Sequence, residues 1–209
     1  MLDASPRIDR RRVPDLPQLF PQTPQWKQCM ALRQDSGIVK RMGGSEENGS
    51  PKERMNHMKK YYIAYGSNMD FTQMRRRCPD AELVGAGIVK GYELLFKGSG
   101  SGSYATIERE AHSKVSVLVW RISAMDEESL DRYEGFPTFY YKTDLPVKMQ
   151  DGAEITGMVY IMDEKRTLGF PSHGYARILY DAYINFGWDT AIIDNAFEKS
   201  SAAQTPISR

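Results

Sequence analysis

Residues 61–73 read Tyr61-Tyr62-Ile63-Ala64-Tyr65-Gly66-Ser67-Asn68-Met69-Asp70-Phe71-Thr72-Gln73, and that order predicts a strand, a turn and a helix. The aromatic and apolar run from Tyr61 to Tyr65 suits a strand, and Gly66-Ser67-Asn68 breaks it. Asp70, with Gln73 three residues on, has the form of a helix N-cap with a capping box, while Pro79 bars further helix. The expected helix covers Asp70 to Cys78 and completes the opening unit of the fold.

Downstream, strands are expected at Leu83 to Val89, Tyr92 to Phe96, Tyr104 to Glu108 and Val115 to Ile122, with a pliable loop at Gly98 to Ser103. Ser123 and Asp126 form a second capping pair, and Met125, Leu130 and Tyr133 recur at helical spacing, so a helix runs to Tyr133 and stops at Gly135 and Pro137. Phe139 to Met149 and Ala153 to Met162 flank the hairpin signal Asp151-Gly152. His173 to Phe186 and Asp189 to Lys199 read as closing helices separated by Gly187. Strands outnumber helices and several are joined by short turns. The pattern predicts an α+β fold: a mixed, largely antiparallel β-sheet curled into a small barrel, which hides strand edges, with a few flanking helices.

Upstream, Met1 to about Lys60 is rich in Pro, Gln, Arg, Ser and Gly and has no sustained period. The expected organisation is an N-terminal tail at 1–59, one folded domain at 60–199 and a C-terminal tail at 200–209. Met58 has the look of a translation start, and Lys52-Glu53-Arg54 is encodable by a purine-rich ribosome-binding stretch, so residues 1–57 read as translated leader. The 209 residues suffice for one self-sufficient core, and 28 basic against 27 acidic residues leave a net charge of +1. That balance gives no broad attraction to nucleic acid or to an anionic membrane. Cys29 and Cys78 stand far apart in no metal or disulfide pattern, and no apolar run approaches the ~18 residues of a membrane span. A reducing cytoplasm is the expected setting, with oligomeric state left open.

Two places invite chemistry. Glu134 lies where a helix ends and Gly135-Phe136-Pro137 turns the chain, among Tyr133, Phe136, Phe139, Tyr140 and Tyr141. An apolar wall of those rings would raise its pKa toward neutrality and make it a useful base, whereas position alone favours a solvated helix end. The Tyr65-Gly66-Ser67-Asn68 turn precedes a helix, and Gly66 permits close approach in a glycine-only conformation. It reads either as an anion cradle or as a plain strand-to-helix turn. Competing motifs are weaker. Gly100 to Ala105 matches a loose dinucleotide fingerprint, but a strand follows where a helix is required. Ser67 lacks the second glycine of a nucleophile elbow. His57, His112 and His173 have no metal-ligand spacing. Arg75-Arg76-Arg77 reads as a solvated face.

Taken together, Tyr62 to Asn68, Ala105-Thr106-Ile107, Tyr133-Glu134-Gly135, Tyr140 and Pro171 to Tyr175 resemble the gamma-glutamylcyclotransferase-like family over most of residues 60–199, in one consistent order. In that family the Y-G-S-N loop cradles the gamma-glutamyl part of the substrate, and the glutamate of the E-G pair is the catalytic acid and base. The resemblance implies those roles for Tyr65, Gly66, Ser67, Asn68 and Glu134, and substrate contacts for Tyr62, Tyr140 and Tyr175. Met69 replaces the leucine of many members, a volume-conserving change. Asn68 distinguishes the chain from the glutathione-specific Y-G-S-L branch and argues against glutathione itself. The implied reaction cyclises a gamma-glutamyl amino acid or amine to 5-oxoproline and frees the amine, with no metal and no organic cofactor. Phe136, Phe139 and the Gly98–Ser103 loop are candidate walls for the leaving group, the loop as a lid. The alternative is a non-catalytic module that binds a small molecule in the same pocket.

Overall fold

The computed structural model describes residues 59–99 and 102–204. The expected leader and most of the expected tail segments, with Cys29 and His57, lie outside them. In chain order the elements are β1 (Lys60–Ala64), one 3-10 turn (Ser67–Met69), α1 (Phe71–Arg77), β2 (Glu82–Ser99), β3 (Gly102–Ile122) and α2 (Ala124–Glu134). They continue with β4 (Tyr140–Met149), β5 (Glu154–Met162), β6 (Thr167–Leu168), α3 (His173–Phe186) and α4 (Ala191–Gln204).

The strands run β3-β1-β5-β4-β2, and β2 pairs back to β3, which closes a five-stranded barrel with β6 added along β2. The β1–β5 pair, at Tyr62 and Met158, is parallel and the others are antiparallel, so the mixed, largely antiparallel barrel is as expected. Closure leaves no open edge along the five strands and buries Ile63, Phe96, Ile107, Leu118 and Met162 almost completely. α4 covers β2 through Ile193 and Ala196, both fully buried, and the Phe197 ring lies 4.8 Å from that of Phe96.

Four expected strands between Leu83 and Ile122 prove to be two long ones. Lys90 pairs with Lys114 and Tyr92 with Arg109, so Gly91 alone faces residues 110–113, and the ladder resumes beyond this irregularity. Gly91 has φ 75°, and such a kink bends a strand without ending it. The sequence break was real, but it is a bulge. The Gly98–Ser103 segment also differs from the pliable loop expected: Gly98 pairs with Ser103 and Ser99 with Gly102. A Cβ on Gly98 would lie 2.0 Å from the Gly102 carbonyl oxygen, so glycine here serves the close approach of two strands.

The helices start at the expected caps. Asp70 Oδ1 accepts the Gln73 N–H at 2.7 Å, but Gln73 turns its side chain to Arg77 and leaves that capping box half made. At α2 the box is complete: Ser123 Oγ accepts the Asp126 N–H at 3.2 Å, and Asp126 Oδ2 accepts the Ser123 N–H at 3.1 Å. Lys59 joins the fold through Glu82 at 2.6 Å. α4 runs on through Ser200, which is fully buried and donates to the Gly169 carbonyl at 3.0 Å. Among the described residues no helix is long and apolar enough to cross a membrane.

The buried Asp126 carboxylate anchors the start of the helix that ends at Glu134. Asp126→Ala should cost about 1–2 kcal/mol and lower the thermal midpoint by roughly 3–8 °C, with Asp126→Asn losing less. Thermal denaturation followed by circular dichroism checks this.

Candidate active site

Tyr62 and Tyr65 leave β1 on the inside of one end of the barrel, both buried. At Gly66 the chain turns into the 3-10 turn, closed by Met69 N–H on the Gly66 carbonyl at 2.9 Å and Asp70 N–H on that of Ser67 at 3.1 Å. A helical turn supplies no acceptor to its own first amides, and here that of Ser67 is directed at the Tyr175 hydroxyl, which also lines the site. Gly66 has φ −114°, which any residue adopts. The expected glycine-only conformation is therefore absent, and the requirement is for space: a Cβ would stand 3.0 Å from the Tyr175 hydroxyl and 3.7 Å from Ala105 Cβ.

From the other side comes the last residue of α2. Gly135 caps the helix in the left-handed region at φ 66°, and the Phe136 N–H returns to the Asp131 carbonyl at 3.0 Å. Glu134 Oε1 accepts from Asn68 Nδ2 at 2.9 Å, and the same Nδ2 donates to the Tyr62 hydroxyl at 2.7 Å. Glu134 as a residue is half-buried, yet its carboxyl is the part withdrawn from water. Burial pushes its pKa up to about 7, against the opposing pull of Arg77 and of the Asn68 hydrogen bond.

Tyrosines make the facing wall. The Ala105 peptide of β3 is held at both ends: its N–H donates to the Tyr175 hydroxyl at 3.1 Å and its carbonyl accepts from Tyr140 at 2.9 Å. The Tyr65 hydroxyl donates to the Tyr160 carbonyl at 2.6 Å, and the Tyr160 hydroxyl to Asp131 Oδ1 at 2.6 Å. Burial foremost raises the pKa of Tyr62, Tyr65, Tyr140 and Tyr175 above the usual phenol value, so these hydroxyls remain neutral donors and acceptors.

The cavity enclosed by these groups has a volume of about 360 Å³, and Glu134 together with Tyr62, Tyr65, Gly66, Ser67, Asn68, Tyr140 and Tyr175 lines it. The structure thus brings together every site residue nominated from the sequence. Of the proposed apolar wall, Tyr133, Phe139 and Tyr140 border the cavity, but Phe136 and Tyr141 do not. Phe136 packs under Lys142 and Tyr141 bonds Glu164. Of the loop offered as a lid, the described residues Gly98, Gly102 and Ser103 lie in the β2–β3 ladder and outside the lining.

Tyr104 and Tyr160 were not nominated. Both line the cavity, and nothing in the local sequence separates them from the other strand aromatics. Arg77 corrects the expectation of a solvated basic run. Arg75 and Arg76 are exposed, but Arg77 is half-buried, with its guanidinium 3.5 Å from the centre of the Tyr133 ring. Among the described residues no group of three or more His, Cys, Asp or Glu is placed to hold a metal ion.

Comparison with known proteins gives the family and the fold. The family model described as Gamma-glutamyl cyclotransferase, AIG2-like matches residues 62–180. The chain is 29% identical over 126 residues to the human gamma-glutamylcyclotransferase, covering 56% of this chain and 66% of that one, and the bovine protein matches to the same extent. It therefore spans just under two thirds of these curated relatives. A solved gamma-glutamyl cyclotransferase superposes with a TM-score of 0.58 at 25% identity, over 72% of this chain and 92% of that one. A human protein solved as uncharacterized gives 0.58 at 26%, over 72% and 91%. YkqA of Bacillus subtilis, at 18% identity and a TM-score of 0.56 over 70% and 55%, shares the fold.

The contact at Gly66 is testable by relief. Gly66→Ala should destabilise the protein by about 1–3 kcal/mol by driving the Tyr175 hydroxyl off Ala105. In a Tyr175→Phe background the same change should cost much less, as read from denaturant midpoints.

Proposed function

Because the chain belongs to the gamma-glutamyl cyclotransferase, AIG2-like family, matched over residues 62–180, we propose that it cyclises a gamma-glutamyl amino acid or amine to 5-oxoproline, with Glu134 as the proton carrier. The observation that carries this reading is the position of one carboxyl, poised near neutrality, in the same cavity as the 66–68 turn.

The chemistry needs little more. The substrate's α-ammonium gives a proton to Glu134, and the freed amine attacks the γ-carbonyl carbon. Attack forms the new C–N bond and closes the five-membered ring at a tetrahedral carbon. The old amide C–N bond then breaks as Glu134 returns its proton to the departing nitrogen. The second proton, given up by the ring nitrogen, passes to the released amine, so one lactam N–H and one ammonium account for the α-ammonium consumed. A single group does both tasks best when its pKa lies near the working pH, and about 7 meets that condition. Nucleophile and electrophile belong to one molecule, so the protein's share is to hold the folded-back conformer, and a cavity of about 360 Å³ is at the small end of ligand sites. The turn's amides and the Tyr175 hydroxyl beside that of Ser67 are suited to the α-carboxylate or to the developing oxyanion.

The test is a panel of gamma-glutamyl amino acids and amines assayed for 5-oxoproline and free amine in equal amounts. Ligand bound without turnover across the panel selects the binding module instead. Glu134→Gln should stay folded and lose roughly 10²–10⁴-fold in kcat/KM, as expected for lost acid–base catalysis. Parent-like activity in that variant contradicts the assignment.

The same carboxyl should tax stability. Its folded pKa is raised from 4.5 to about 7, so between those values the folded state holds more proton than the unfolded state. This contribution is neutral below about 4.5 and turns unfavourable as pH rises to 7. Glu134→Gln removes it. The variant should match the parent in acid and exceed it by about 1–3 kcal/mol in mild alkali, a range discounted for partial solvent access. Urea denaturation at the two pH values measures the difference.

A further inference from the structure

The Asn68 side chain stands between two groups that leave its amide no choice of orientation. A carboxylate only accepts and a guanidinium only donates, while an asparagine amide offers a carbonyl at one end and an NH2 at the other. Glu134 Oε1 lies 2.9 Å from Nδ2, and Arg77 Nη1 lies 2.5 Å from Oδ1. Reversing the amide would set NH2 against the guanidinium and oxygen against the carboxylate.

Arg77 is well held for this role. Nη1 also donates to Ser67 Oγ at 3.2 Å, Nη2 donates to Gln73 Oε1 at 2.6 Å, and the plane lies 3.5 Å from the centre of the Tyr133 ring. The Tyr133 hydroxyl is itself 3.3 Å from Ser67 Oγ. One side chain from the end of α1 thus grips both hydroxyl- and amide-bearing residues of the turn and the residue that precedes Glu134. We propose that Arg77 is a positioning residue: it fixes the Asn68 amide so that NH2 faces the Glu134 carboxyl, and it clamps the end of α2 against the 67–69 turn.

The groups around Glu134 make the consequence readable. Tyr62 faces it from β1, Tyr65 from the residue that follows β1, Tyr140 from β4, Tyr160 from β5 and Tyr175 from α3, all kept neutral by burial. Arg77, from α1, is the charge that acts on it, and Asn68 supplies the hydrogen bond; both favour the ionised form. Without Arg77 the Asn68 Oδ1 loses its donor and Glu134 loses the nearby charge, so the amide is oriented from the Nδ2 side alone.

The kinetic arm of the test rests on Glu134 being the proton carrier, and the titration arm does not. Arg77→Met, Asn68→Ala and the double variant are compared with the parent. Each single variant should lose on the order of 10²-fold in kcat, the scale of a small misplacement at a reacting centre. Each should also move the acidic limb of the kcat/KM profile to higher pH. In kcat the double variant should lose less than the product of the two single losses, because part of Arg77's action runs through Asn68. Multiplied losses, or an unmoved acidic limb in Arg77→Met, overturn the proposal.

Proton titration of each protein against its own Glu134→Gln counterpart reads the same shift without turnover. It decides the matter even if the parent releases no 5-oxoproline. If Arg77→Met does not fold, Arg77→Lys keeps charge and stem but loses the planar fork. It should lose at least about 10-fold in kcat, and parent-like kcat in that variant overturns the proposal equally.

Discussion

The site depends on one hydrogen bond, from the Asn68 amide to the Glu134 carboxyl, made where that carboxyl has lost most of its water. Desolvation alone would drive a glutamate to the protonated form, and full pairing with a cation would hold it ionised. Here burial dominates and is partly offset by an amide and a guanidinium one residue removed, which leaves the group near the midpoint of its titration at neutral pH. Moving the arginine into direct contact, or removing it, would each push the carboxyl away from that balance.

Everything that sets this balance comes from two chain reversals meeting at one end of a closed barrel. β1 lies between β3 and β5, and its exit at Gly66 places Ser67 and Asn68 there. α2, started by the Ser123–Asp126 box and stopped by Gly135, places Glu134 against them. β3 contributes backbone: Ala105, held through its N–H by Tyr175 and through its carbonyl by Tyr140, keeps the Tyr175 hydroxyl where it leaves little room for a side chain at Gly66. The rigidity of the site is the rigidity of the strands and helix ends that carry it.

Local features were legible in the sequence because their causes are local. The breaks at Gly66 and Gly135, the caps at Asp70 and Ser123 and the Asp151-Gly152 hairpin each follow from one or two residues' backbone or side-chain preferences. Strand pairing was not legible at that level. No periodicity says that β1 lies parallel to β5, and Gly91 looked like a break because a bulge and a loop share the same residue. Arg77 was missed for a related reason. A run of three arginines on a short helix reads as a solvated face, and only the three-dimensional approach of Tyr133 and Asn68 separates the third from the first two. Tyr104 and Tyr160 were hidden among strand aromatics, which serve cores far more often than cavities. Ser200 looked like the start of a polar tail, whereas its hydroxyl bonds the Gly169 carbonyl under a continuing helix.

The account turns on the state of one proton, so the most direct measurement is a carbon-13 NMR titration of the Glu134 carboxyl in the free protein, assigned by its loss in the glutamine variant. A midpoint near 7 is the result this account predicts. A midpoint near 4.5, the ordinary value for a glutamate in water, would mean that the carboxyl is solvated and that the cavity does not tune it for proton transfer.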